Sequence, residues 1–114
     1  MRKLFFALTL TVLIFLGCGR RSDPGTITIW HQMMPEGRAV LDSLCAEWGE
    51  ANGMTVNTLY KETEELRSAY QTAALAGGGP ELIYGPSDQV GPFSVMALIK
   101  PLGDILEEDY LNSF

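Results

Sequence analysis

From Thr26 to Tyr84 the sequence switches repeatedly between short β-branched runs and longer helical ones, and this alternation restricts the chain to few folds. Thr26-Ile27-Thr28-Ile29-Trp30 is uncharged and wholly β-branched or aromatic, the composition of a strand. Pro35 opens a stretch with apolar residues at Val40, Leu41, Leu44, Cys45 and Trp48, close to the spacing of one helix face. Asn52-Gly53 ends it, because both residues tolerate positive φ. Met54–Tyr60 alternates again and reads as a second strand. Thr63 is placed to cap a second helix, with Glu64 and Glu65 in the first turn, where the helix dipole favours anions. Leu66, Tyr70, Ala73 and Ala74 form the inner stripe of that helix, and Gly77-Gly78-Gly79-Pro80 terminates it. Glu81–Tyr84 gives a third strand and Gly91–Ile99 a third helix, with Pro92 in the first turn where proline is tolerated. Residues 100–114 read as a turn at Lys100-Pro101 followed by a last helical piece. The expected fold class is α/β: a parallel sheet with helices on both faces, joined by right-handed crossovers.

In sheets of this kind ligands bind beyond the carboxyl ends of the strands. Three strand exits are expected along one edge. The first offers Trp30, His31, Gln32 and Met33, the second Tyr60, Lys61, Glu62 and Thr63, and the third Tyr84, Ser87, Asp88 and Gln89. Aromatic faces accept the C–H surface of a sugar ring, while carboxylates and amides bond neighbouring hydroxyls. The candidate substrate-binding set is therefore Trp30, His31, Gln32, Glu62, Tyr84, Ser87 and Asp88. Each member has a plainer alternative. Trp30 fits ordinary core at a strand end, His31 an ordinary loop residue, and Glu62 with its acidic neighbours a solvated helix start. Asp88 is the strongest candidate, because packing poorly explains a carboxylate after a buried strand and a Gly-Pro turn. It also fits a cap on the third helix.

The first residues impose a different constraint. Arg2 and Lys3 precede Leu4–Leu16, an apolar run broken only by Thr9 and Thr11, and Gly17-Cys18-Gly19 follows. A basic start, a short apolar stretch and small residues make a secretory signal over 1–17. About 20 apolar residues are needed to span a bilayer core as a helix, so the run is short for a permanent anchor. Leu16-Gly17-Cys18 resembles the lipobox of bacterial lipoproteins, departing from it at Phe15 and Leu16. The resemblance implies acylation at Cys18, an N-terminal lipid that holds the protein to a membrane, and a tether over 18–25. An ordinary signal peptide cut nearby is the alternative.

Charge and cysteine usage exclude several classes. All fourteen Asp and Glu lie after Cys18, whereas two of the eight Lys and Arg lie before it. That acidic balance argues against a nucleic-acid partner, which requires clustered Lys and Arg against phosphate. With Cys18 acylated only Cys45 would remain, which argues against a disulfide framework and reads as a buried thiol. One histidine and no CxxC leave no basis for a zinc site. The glycine run at Gly77–Gly79 lacks the Lys-Ser or Lys-Thr of a phosphate loop. No cofactor is expected.

Ile27-Thr28-Ile29-Trp30, the helix ending at Gly53, the strand from Met54, and above all Gly79-Pro80-Glu81-Leu82-Ile83-Tyr84 are similar to the start of bacterial extracellular solute-binding proteins, specifically the maltodextrin-binding branch. Asp88–Leu98, with Gly91, Phe93 and Ala97-Leu98, continues the pattern, so the resemblance covers nearly all of 26–105. It implies a two-lobed receptor of the type II periplasmic-binding-protein fold, of which 26–114 is an incomplete first lobe. It also implies delivery of a small-molecule solute, a sugar first of all, to an ABC permease outside the cytoplasm. By motif position Asp88 matches an acidic hydroxyl-binding residue of the family, and Trp30–Gln32 its first strand-exit loop. That loop continues here as Met33-Met34-Pro35, where maltose receptors carry polar ligands, which leaves the solute open.

Three other readings compete. One keeps the receptor fold but changes the ligand to an anion, metal or polyamine. Another is a lipid-anchored glycoside hydrolase drawing its two carboxylates from Glu62, Glu64, Glu65 and Asp88, although no nucleophile, base and orienter assemble around them. The last is a free-standing structural or interaction lipoprotein. The expectation carried forward is a binding protein without catalysis.

Overall fold

The computed structural model describes residues 25–113. The expected secretory signal over 1–17, Cys18 and all but the last residue of the expected tether over 18–25 lie outside them. The described residues form a three-stranded sheet in the order β2-β1-β3, with β1 at Thr26–His31, β2 at Thr55–Tyr60 and β3 at Leu82–Tyr84. Both pairings are parallel, as the strand–helix alternation predicts.

Helix α1, Pro35–Asn52, carries β1 back across the sheet so that β2 can start beside it. Pro35 sits in its first turn, and Gly53 closes it in the left-handed region at φ 64°. The turn into β2 is tight because Met54 N–H donates to the Gly49 carbonyl at 2.9 Å. Gly49 is buried at that crossing, and a Cβ there would lie 2.6 Å from the Met54 carbonyl oxygen. Ile27, Ile29 and Val56 share one apolar groove with Leu44, Cys45 and Trp48 of α1. Side chains alternate along a strand, so this is the face carrying the odd residues of β1.

The opposite face is covered by α2, Thr63–Leu75, and by the short α3, Val90–Val95. Leu66 is fully buried, Tyr70 and Phe93 nearly so, and the two rings meet tilted at 5.0 Å between centroids. Burying a side chain such as Leu66 contributes about 1.5–3 kcal/mol. Tyr70 Oη donates to the Leu98 carbonyl at 2.6 Å, fastening the segment after α3 to α2. Burial raises the Tyr70 pKa, so its hydroxyl stays a donor. The packing on this face is close: a Cβ at Gly85 would lie 3.0 Å from Leu66 Cδ2.

Three local expectations shift. The N-cap of α2 is Glu62 instead of Thr63, with its carboxylate accepting the Glu64 N–H at 3.0 Å. The third helix stops at Val95, short of Ile99. Ala97 adopts φ 55°, and the Leu98 N–H returns to the Phe93 carbonyl at 2.9 Å. The third strand begins at Leu82, because the Glu81 side chain takes part in the ladder directly. Its Oε2 accepts the Thr28 N–H at 2.7 Å, while its own N–H donates to the Thr28 carbonyl at 3.0 Å. The last helical piece is a 3-10 turn at Leu102–Asp104 followed by α4, Glu108–Leu111.

Candidate functional site

The carboxyl ends of all three strands stop level with one another. His31 lies opposite Tyr60 of β2 and Tyr84 of β3. Backbone bonds extend the alignment past the strand ends, from Gln32 N–H to the Tyr84 carbonyl at 3.3 Å and from Lys61 N–H to the His31 carbonyl at 2.9 Å. The three exits therefore form one continuous edge. Alternation puts His31, Tyr60 and Tyr84 toward α1 and Trp30 toward α2.

On the α2 side, Trp30 is half-buried, and the Lys61 ammonium stands 4.8 Å above its ring. Lys61 is also paired with Glu65 at 2.6 Å, one helical turn further on. Glu62 is exposed at the start of α2. Ser87 and Asp88 are exposed in a 3-10 turn at Ser87–Gln89, directly after the Gly85-Pro86 turn. Asp88 does not cap α3, whose start carries no side-chain cap bond. Its Oδ2 instead accepts from Arg67 of α2 at 3.1 Å and from Gln89 at 3.3 Å. Arg67 reaches Glu64 as well, at 3.4 Å, and so ties the second exit to the third.

On the α1 side, His31 is 1% exposed, and its ring lies 6.1 Å from that of Tyr60. It is the last residue of a strand and not part of a loop. Burial first, then the Arg38 guanidinium, holds its pKa below the ordinary 6.5, with Asp42 opposing them. Arg38 itself stacks over the Tyr60 ring at 3.9 Å. Tyr84 remains 57% exposed at the β3 end of the edge. Gln32 joins two exits, its Oε1 accepting the Thr63 hydroxyl at 2.9 Å.

The structure thus ties Gln32 to the second exit through Thr63 and Asp88 to it through Arg67, and sets Trp30 under Lys61; Glu62, Ser87 and Tyr84 stand exposed at their own exits, and His31 lies beneath the edge. Sequence reasoning missed Arg67 and Arg38 as organisers. The spacing of Glu64 and Arg67, three apart on one helix, was the available signal for the first. Among the described residues no three His, Cys, Asp or Glu side chains gather as metal ligands. Cys45 is half-buried with a free thiol whose pKa is raised by burial and then by Asp42, which keeps it protonated and unreactive.

No family model matches the chain. The maltotriose-binding protein of Pyrococcus abyssi (strain GE5 / Orsay) is 31% identical to it over 90 residues, which are 79% of this chain and 20% of that protein. A solved maltose/maltodextrin-binding domain, MalE from Bdellovibrio bacteriovorus bound to maltotriose, shares 51% identity with a TM-score of 0.73. The homologues of this chain are maltose- and maltotriose-binding proteins. The match to the solved domain covers 78% of this chain and 24% of that one, so the chain spans only a fifth to a quarter of these maltodextrin-binding relatives. Within that span the parallel three-stranded α/β unit is the fold that the alternation predicts.

Proposed function

We propose that this chain contributes a first-lobe sugar-binding edge to an extracytoplasmic carbohydrate receptor serving an ABC importer, and that it binds without catalysing a reaction. The observation that carries the reading is the 51% identity to a domain bound to maltotriose. The level strand exits supply a chemistry to match. Tyr84 on the α1 side and Trp30 on the α2 side, its ring shared with Lys61, offer separate apolar faces to sugar C–H surfaces, and Glu62 and Asp88 offer carboxylates to hydroxyls. Arg67 and Gln89 both bond Oδ2 of Asp88, which leaves Oδ1 for a ligand hydroxyl.

Residues 1–17 act in this reading as an export signal and Cys18 as the acylated first residue of the mature protein. The lipid would hold the receptor at a membrane surface beside its permease. Mass spectrometry of the N-terminal peptide should find a thioether-linked diacylglycerol on Cys18, and Cys18→Ser should release the protein from membranes. An unmodified Cys18 in membrane-associated protein would discard the anchor while leaving the sugar reading intact.

The sugar reading is tested by titrating the two-lobed receptor to which this segment contributes with maltotriose, following heat or tryptophan fluorescence. Saturable binding is expected, weakened by about tenfold or more in Asp88→Ala, the scale of a lost hydrogen bond to a charged group. No response to maltotriose or maltose would overturn the function. Binding that survives Asp88→Ala unchanged would remove Asp88 from the site.

A further inference from the structure

We propose that His31 is the positioning residue of the first strand exit: its neutral imidazole holds the Gln32–Met34 loop by accepting the Met33 N–H, and protonation of the ring releases that loop. The bond runs from Met33 N to His31 Nδ1 at 3.2 Å. For Nδ1 to accept, it must carry a lone pair, so the ring proton sits on Nε2. A protonated imidazole has only donors, and its Nδ1–H would then face the Met33 N–H. The two cannot share that geometry, and one side has to move.

The surroundings decide which side moves. The ring is 1% exposed at the end of the central strand, whose backbone is bonded on both sides, by Lys61 N–H from β2 and by the pairing with Tyr84 of β3. From α1 it faces Arg38 and Asp42, from β2 the phenol of Tyr60, and from β3 Tyr84, its register neighbour. Arg38 lies against the same Tyr60 ring and adds a second cation if the imidazole charges. Asp42 opposes that repulsion, but it also accepts from the Thr58 hydroxyl. His31 is therefore clamped, whereas the loop is held more loosely: beyond this bond, the Met33 carbonyl accepts only a long bond from Arg38 Nη2 at 3.5 Å, and the Met34 carbonyl accepts the Arg38 N–H at 2.9 Å in the first turn of α1. The loop is the side that yields. Gln32 belongs to the same loop and bonds Thr63 of the second exit, so release at Met33 loosens the join between two exits. The consequence for sugar binding rests on the proposed function; the consequence for the loop does not.

The chain has a single histidine, so its imidazole resonances can be followed by NMR without ambiguity. In the full chain, Met33 amide exchange, corrected for intrinsic chemistry, should accelerate by about tenfold or more as pH falls through the imidazole midpoint. Two substitutions separate positioning from bulk. His31→Phe keeps a ring but offers no acceptor, and should leave Met33 unprotected at every pH. His31→Asn offers an oxygen where Nδ1 stands and does not titrate, and should keep Met33 protected with the pH dependence gone. Met33 exchange that ignores the imidazole titration, or a pH profile that persists in His31→Asn, would overturn the proposal. Maltotriose affinity measured alongside should follow the same profile. If maltotriose does not bind at all, the sugar reading fails, while the exchange data still decide the role of His31.

Discussion

Gly49 and Gly53 stand four residues apart at the end of α1, yet different physics requires each. At Gly49 the obstacle is another stretch of backbone, with the Met54 carbonyl 2.6 Å from where a Cβ would sit. At Gly53 space is open and the obstacle is φ 64°. Gly53→Ala should cost about 1–2 kcal/mol, the left-handed penalty of an L-residue. Gly49→Ala gains about 1 kcal/mol of helix propensity, but the clash is with backbone and forces apart the α1–β2 crossing, which puts the loss toward the upper end of overpacking, about 3 kcal/mol. Urea denaturation should therefore find both variants destabilised, and a stabilised Gly49→Ala would disprove the close approach. Leu66→Ala empties the most buried apolar position and should cost about 2–5 kcal/mol in the same assay. His31 adds a pH dependence of known sign. Its folded pKa lies below 6.5, so on acidification the unfolded chain takes up the proton first. Its stabilising contribution is complete above about pH 6.5 and declines as the pH falls from there toward the folded pKa. Denaturation midpoints measured from about pH 8 down to about pH 5 should fall in the native chain, and fall less in His31→Asn.

At the scale of elements, whatever is encoded locally could be read from the sequence. The uncharged β-branched run of β1, Pro35 and Gly53 bracketing α1, and the Leu66–Tyr70 stripe of α2 all sit where their spacing predicts. The end of α3 could not be read. Ala97 favours helix intrinsically, and nothing nearby announces its left-handed turn. What accompanies that turn is remote, a hydroxyl on α2 grasping the Leu98 carbonyl across 28 residues. Tyr70→Phe removes that bond while keeping the ring on Phe93, so amide exchange over residues 96–99 should quicken while α2 stays protected. The loss is about 1 kcal/mol. The candidate site divides the same way. Its strand exits follow from topology and were legible, but the bond between Arg67 and Asp88 depends on how α2 lies against the β3 loop. The burial of His31 likewise depends on α1 bringing Arg38 over Tyr60. Residue spacing offers Arg67 its partner Glu64 on the same helix, but announces neither of these contacts between elements.

On the scale of the whole molecule, the two faces of the sheet are unequally protected. The α2 side holds Leu66, Tyr70 and Phe93, the buried apolar side chains among the described residues. The α1 side keeps Val40, Leu44 and Trp48 about half exposed or more, beside a groove lined by Ile27, Ile29 and Val56. Residues 25–113 alone should consequently bind a hydrophobic dye such as ANS and melt over a broad range, and Trp48→Glu should reduce the dye signal. A sharp, dye-silent transition would show that this groove is closed in solution.

The central position of β1 also has a temporal side. The ribbon made first by the ribosome is the one that needs neighbours on both flanks, and those neighbours are Thr55–Tyr60 and Leu82–Tyr84. Until Tyr84 has been synthesised, an uncharged, β-branched segment keeps one flank bonded to water alone, the kind of edge that sticks to other chains. The sheet cannot close until the last of its three strands is made, and the interval before that is when a chaperone would matter most.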